Sequence, residues 1–179
     1  MATIVVISGS PRKNGNTEQL ADAFIKGANE AGNHVEKFHV SDYKISGCLG
    51  CQYCQKHEGQ CVQKDDMQII YDALYRADVI VFATPLYWAG MSGQIKLVID
   101  RLYASAARPF PISSAVLLMP FGATSPSDTD AVVAQYHEML RYTRWQNKGT
   151  LLASGMLGKN DIAESPYLEE AEALGKSFS

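Results

Sequence analysis

Three short runs of this chain, Thr3–Ile7, Asp78–Ala83 and Ala115–Met119, are almost continuously apolar. A strand with one wet face alternates apolar and polar residues; a strand covered on both faces does not. Such runs call for a parallel sheet with helices on each side. The sequence between them supplies the helices. Leu20, Ala21, Phe24, Ile25 and Ala28 form one stripe between about Thr17 and Ala31, and Gly32 is the expected stop. Asp65-Asp66 opens a second helix with Met67, Ile70, Tyr71 and Leu74 inward, and a third carries Met91, Ile95, Val98, Ile99 and Leu102. A fourth, from about Ser127 to Arg144, presents Val132, Tyr136, Met139 and Leu140; Pro166 opens a last one with Tyr167, Ala171, Leu174 and Phe178. Val35–Val40 is more polar, as expected of an edge strand, and Thr150–Ala153 makes a short fifth strand. Strands and helices alternate five times. The pattern predicts an α/β fold with a parallel sheet, one domain over residues 1–179, interrupted by a long connection at 41–64.

In such a sheet ligands bind beyond the carboxyl ends of the strands. Three polar, glycine-bearing loops start there, at Ser8, Thr84 and Phe121. The first, Ser8-Gly9-Ser10-Pro11-Arg12-Lys13-Asn14-Gly15-Asn16-Thr17, runs into a helix N-terminus, where backbone N–H groups lack intrahelical partners and the helix dipole favours an anion. Ser10, Asn16 and Thr17 add side-chain donors, and Arg12 a charge suited to phosphate. The loop has neither G-x-G-x-x-G nor a Gly-Lys-Ser/Thr sequence, so hydroxyls and amides take the place of glycines, which suits a terminal monophosphate held end-on. A plain helix cap at Asn16 or Thr17 is the competing reading.

Other features narrow the function. The formal net charge is −3, with no basic cluster, which argues against a nucleic-acid partner. There is no apolar run of membrane-spanning length and no charged leader before the first strand, so a cytoplasmic protein without a membrane partner is expected. Asp100-Arg101 reads as a structural pair at a helix end. His34, His39, His57 and His137 show no ligand spacing, which leaves solvated or packing roles. No acid or base side chain stands out as catalytic.

With these loops placed, the chain resembles the flavodoxin-like NAD(P)H-dependent FMN reductases. The resemblance rests on Gly9–Thr17, Thr84-Pro85-Leu86-Tyr87-Trp88, Met91-Ser92-Gly93-Gln94-Ile95-Lys96, Gly47-Cys48-Leu49-Gly50-Cys51 and Lys64-Asp65-Asp66-Met67. It implies a five-stranded flavodoxin-like sheet of order 2-1-3-4-5 with helices on both faces, bound FMN, NAD(P)H as co-substrate, and a homodimer or homotetramer. By position, Ser10, Arg12, Asn16 and Thr17 would hold the FMN phosphate. Pro85, Leu86, Tyr87 and Trp88 would line the ring, and Gly122 would lie near the ring or ribityl chain. Electrons would pass to a small acceptor such as a quinone, a nitro or azo compound, or free flavin.

All four cysteines, Cys48, Cys51, Cys54 and Cys61, fall in the long connection. Crowded thiols of this kind suggest metal or redox chemistry. Their spacing resembles the compact motif of iron–sulfur flavoproteins, in which a [4Fe–4S] cluster exchanges electrons with FMN. That resemblance implies a second reading, an electron-transfer protein fed by ferredoxin. Zinc, or a loop with no metal at all, remains open. A third reading, a flavodoxin-like carrier without turnover, fits poorly with a net charge as small as −3.

Overall fold

The computed structural model describes residues 1–178. Among these the strands are β1 (Thr3–Ser8), β2 (His34–His39), β3 (Val79–Ala83), β4 (Leu86–Tyr87), β5 (Gly90–Met91), β6 (Ser114–Pro120) and β7 (Gln146–Ala153). The helices are α1 (Asn16–Glu30), α2 (Tyr53–Lys56), α3 (Met67–Leu74), α4 (Gly93–Arg101), α5 (Asp130–Thr143) and α6 (Tyr167–Lys176). Five strands form one parallel sheet in the order β2-β1-β3-β6-β7. This is the expected 2-1-3-4-5 order, with the small β4–β5 hairpin set apart. None of these helices is long and apolar enough to cross a membrane.

The unbroken apolar runs explain the layers. Val5, Ile7, Ile80, Phe82, Leu117 and Met119 point to one face and pack under α3, α4 and α5. Ile4, Val6, Val79, Val81, Val116 and Leu118, the alternate residues, point to the other and pack under α1 and α6. Both faces are dry, so neither phase of the alternation can be polar. Helices α1 and α6 cross with their backbones in contact. A Cβ on Gly27 would sit 2.0 Å from the Glu172 carbonyl oxygen, and one on Gly175 2.1 Å from that of Phe24. Only glycine fits on either side of that crossing.

Several details depart from the sequence expectation. The last sheet strand is β7, eight residues long and not confined to Thr150–Ala153. Its first half is polar and exposed because it lies at the sheet edge. Backbone pairing to β6 carries it, through an irregularity at Ala115/Val116. The fourth large helix begins only at Asp130, after a 3₁₀ turn at Pro126–Thr129, and ends with Arg144 in the left-handed region. His39 is buried, 3.7 Å from the Glu18 carboxylate, whereas the other three histidines are exposed.

The Asp100-Arg101 pair is the clearest correction. The two residues do not pair with each other. Asp100 bonds Lys96 one turn back. Arg101 turns inward, 2% exposed, and grips Asp65 through two parallel bonds of 2.9 and 3.1 Å, with a third bond to the Ser46 carbonyl at 2.9 Å. Asp65 also accepts the Ser46 N–H at 2.9 Å, and Asp66 accepts that of Lys44 at 2.7 Å. Together these bonds close the neck of the 46–65 loop against α4.

Candidate functional site

The loop after β1 is built from two sides. The Gly9 N–H continues the sheet by donating to Ala83 at 2.8 Å. The Gly9 carbonyl accepts from the Ser92 hydroxyl at 2.6 Å, while the same Ser92 oxygen caps α4 by accepting from the Ile95 N–H at 3.4 Å. A Cβ on Gly9 would stand 2.4 Å from that of Ile95, so the loop lies directly on the head of α4. Farther along, the Ser10 hydroxyl accepts the Arg12 N–H at 3.1 Å, and Glu18 accepts that of Asn14 at 2.5 Å, holding Asn14 at φ 55°. The first turn of α1 thus folds the loop back on itself. Its N-cap is Gly15, with no side-chain cap. The free N–H groups at this helix end, with their share of the dipole, face whatever lies in front of them.

Three other loops converge on the same place. After β3, buried Thr84 accepts the Ser92 N–H at 3.1 Å, and Pro85 leads into the β4–β5 hairpin. The turn of that hairpin is Trp88-Ala89, with φ of 47° and 59°. After β6 come Phe121 and Gly122. After β7 comes a loop tied to both sides, with Met156 donating its N–H to Phe121 at 2.8 Å and Gly155 to Ala123 at 3.0 Å.

A cavity of about 200 Å³ lies between these loops. Ser10, Arg12, Asn16, Thr17, Pro85, Leu86, Tyr87 and Gly122 all line it. Trp88 does not. Its side chain is fully exposed at the hairpin tip, where the backbone turns at φ 47°. Asn16 lines the cavity, but its amide is engaged elsewhere, donating to the Gly158 carbonyl at 2.6 Å and to that of Met156 at 3.4 Å. The remaining walls are Gly15, Pro120, Phe121, Met156, Leu157 and Lys159. The loop that supplies the last three went unassigned in the sequence. Its signal was there, in the bracketing of Met156-Leu157 by Gly155 and Gly158 just past a strand's carboxyl end. Among the described residues no carboxylate and no histidine lines the cavity, so its charge is that of Arg12 and Lys159. Uncapped amides, buried hydroxyls and two cations with no counter-charge are a donor set for a phosphate. The prolines, leucines and aromatics beyond them are a wall for a flat, largely apolar ring.

A larger hollow, about 730 Å³, lies on the flank between α4 and α5, lined mainly by apolar side chains that include Tyr103, Met139, Tyr142 and Trp145. Asp100 and Glu138 sit at it, and it has no helix N-terminus. Its one basic residue, Arg141, is paired with Glu138 at 2.7 Å, so it lacks the unpaired cations of the smaller cavity.

The four cysteines are not gathered. Cys48 and Cys51 are exposed; Cys54 and Cys61 are half-buried and packed against the core below α3 and α4. Among the described residues no group of three or more His, Cys, Asp or Glu side chains is arranged to hold a metal. The loop that carries them has bonds of its own. Gln52 takes the left-handed conformation at the head of α2, and Tyr53 stacks on His57 with ring centroids 3.6 Å apart. Gln55 and Gln63 then tie the loop to Tyr103 and Gly47. In this conformation the four thiols do not form a ligand set.

Residues 2–157 match the profile described as NADPH-dependent FMN reductase. The chain belongs to that family. An iron–sulfur flavoprotein of Archaeoglobus fulgidus is 40% identical over 105 residues, covering 59% of this chain and 47% of its own length. The iron–sulfur flavoprotein MJ0731 of Methanocaldococcus jannaschii is 40% identical over 102 residues, covering 57% of this chain and 51% of its own. The aligned part thus spans about half the length of these relatives. Among solved structures, an NAD(P)H:quinone oxidoreductase from Methanothermobacter marburgensis superposes with a TM-score of 0.77 at 17% identity, covering 99% of each chain. That likeness shows the flavodoxin-like fold.

Proposed function

We propose that this chain is an FMN-dependent oxidoreductase that takes electrons from NAD(P)H and passes them to a small acceptor: a quinone, a nitro or azo compound, or free flavin. The observation that carries the reading is the cavity at the carboxyl ends of β1, β3, β6 and β7, where phosphate donors stand at one end and an apolar wall at the other. The family match supports the cofactor and the reductant. A bound flavin supplies the redox chemistry. The protein's part is to bind and to orient. Ser10, Arg12, Thr17 and the head of α1 hold the phosphate. Pro85–Tyr87 line the ring, and the backbone there offers donors rather than acids or bases. The cavity is smaller than the ~300–1,000 Å³ usual for a ligand of this class. It encloses the tail and one edge of the ring, which leaves the outer ring face to solvent and to a second substrate. Rapid bleaching of flavin absorbance on adding NADPH to the anaerobic FMN-loaded protein is expected. Bound FMN that stays oxidised would refute the reductase assignment.

A second reading rests on the iron–sulfur flavoproteins among its relatives. It makes the chain an electron carrier receiving electrons from ferredoxin, with a [4Fe–4S] cluster on Cys48, Cys51, Cys54 and Cys61. The family match over most of the chain and the cavity at the carboxyl ends of the strands favour the first reading. Iron and sulfide near four per chain after anaerobic purification, with no reduction by NADPH, would reverse the preference. A homodimer or homotetramer in the cytoplasm belongs to the same proposal. Helix α5 buries Val132, Tyr136 and Leu140 within its own subunit and leaves Tyr142 exposed for a neighbour. Light scattering measures the assembly directly.

A further inference from the structure

Two cationic residues line the cavity, and they come from opposite ends of the chain. Arg12 belongs to the loop before α1; Lys159 belongs to the loop after β7. Neither makes an ion pair among the described residues, so within the cavity lining no carboxylate offsets them. A phosphomonoester carries about −1.5 to −2 charges at neutral pH. One arginine and a helix end leave part of that charge unmatched.

The Lys159 loop is fastened at this position. The Asn16 amide in the first turn of α1 donates to the Gly158 carbonyl at 2.6 Å, one residue before the lysine. The Asn16 oxygen accepts the Ile162 N–H at 3.4 Å, three residues after it. Gln19, one turn along α1, donates to Asn160 at 3.3 Å, and Asp161 accepts the Gly158 N–H at 2.5 Å. Lys159 is thus held between residues that are themselves bonded to the anion-binding end of α1. Asn16 has both ends of its side chain committed to this task.

We propose that Lys159 is the second cation of the phosphate site, and that Asn16 is a positioning residue that acts through it. The proposal rests on the reading that the cavity takes FMN. Lys159 bonds the phosphate oxygens opposite Arg12. The loop after β7 is then half of a clamp that selects the phosphorylated flavin over riboflavin.

The test is an equilibrium titration of the flavin-free protein with FMN and, separately, with riboflavin, read by flavin fluorescence. Lys159→Met is expected to raise the Kd for FMN about tenfold and to leave that for riboflavin unchanged. Lys159→Arg is expected to recover most of the loss. The FMN affinity of Lys159→Met should also fall less steeply with added salt than that of the wild type. Asn16→Ala is expected to match the Lys159→Met loss, and the double variant to add nothing to it, because the two residues act as one unit. Far-UV circular dichroism and thermal melts check that each variant is folded, and Lys159→Arg carries the test if Asn16→Ala is not. An FMN Kd for Lys159→Met within twofold of wild type overturns the proposal, as does an equal loss for riboflavin. Additive losses in the double variant overturn the role of Asn16. A wild type that binds neither flavin refutes the cofactor reading itself, an outcome distinct from all of these.

Discussion

Replacing Asp65 by asparagine removes one charge from a pair that the fold has taken out of water. The Arg101 side chain is 1% exposed and that of Asp65 14%. Breaking a buried ion pair by removing one partner costs about 3–5 kcal/mol, because the other charge stays buried without compensation. Asparagine keeps one acceptor for the guanidinium, which puts Asp65→Asn near the lower end, about 3 kcal/mol. For a chain of this size that corresponds to a fall in Tm of roughly 6–12 °C. Urea and thermal unfolding at neutral pH measure it. The pH dependence gives an independent check. Burial alone would raise the Asp65 carboxyl. The bonds from Arg101, the Ser46 and Met67 N–H groups and the Arg101 charge outweigh that, and hold it below the usual carboxylate range. A group whose folded-state value is depressed contributes its full stability above the unfolded-state value and loses it as pH falls through the folded one. The gap between wild type and Asp65→Asn is therefore constant from neutral pH down to about pH 4 and narrows below it. The variant should also loosen the loop whose neck the pair closes, so that half-buried Cys54 and Cys61 react faster with a thiol reagent while exposed Cys48 and Cys51 do not change. A cost under about 1 kcal/mol, or a gap that persists unchanged well into acid, would refute the reasoning.

Other outcomes follow from single features. Gly175→Ala should cost more than about 3 kcal/mol by pushing α1 and α6 apart, read by chemical denaturation. The Trp88-Ala89 turn holds two residues at positive φ where Asn-Gly is the favoured pair, so the double change Trp88→Asn, Ala89→Gly should stabilise by about 1 kcal/mol. Arg12→Ala should weaken FMN about tenfold with little effect on riboflavin. Tyr87→Ala should weaken both flavins, and Trp88→Ala neither, in the same fluorescence titration.

The parts of the fold that were legible in the sequence are those set by side-chain patterning. The apolar runs at residues 3–7 and 115–119 announce a sheet dry on both faces, and the loops that leave their carboxyl ends announce the site. Backbone-driven features were not legible. The first half of β7 is polar and pairs through its main chain, so nothing in Gln146-Asn147-Lys148 marks it as a strand. The β4–β5 hairpin turns on Trp-Ala, which carries no turn signal. Arg101 follows an aspartate in sequence but bonds one 36 residues away, and no local pattern encodes that choice. The same limit applies within the site. The residue types at Ser10, Arg12 and Thr17 point to an anion by themselves. Lys159 is recognisable only once the sheet has brought the loop after its last strand back to the head of α1. Asn16 has the chemistry of a ligand but its amide is spent on that loop, and only geometry distinguishes the two uses.

The central claim is that this cavity takes a flavin by its phosphate. Equilibrium titration of flavin-free protein with FMN and with riboflavin tests it most directly. The account predicts one FMN per chain with a Kd around or below micromolar, and riboflavin at least about tenfold weaker. Equal affinity for the two flavins, or no saturable FMN binding up to roughly 100 μM, would contradict it.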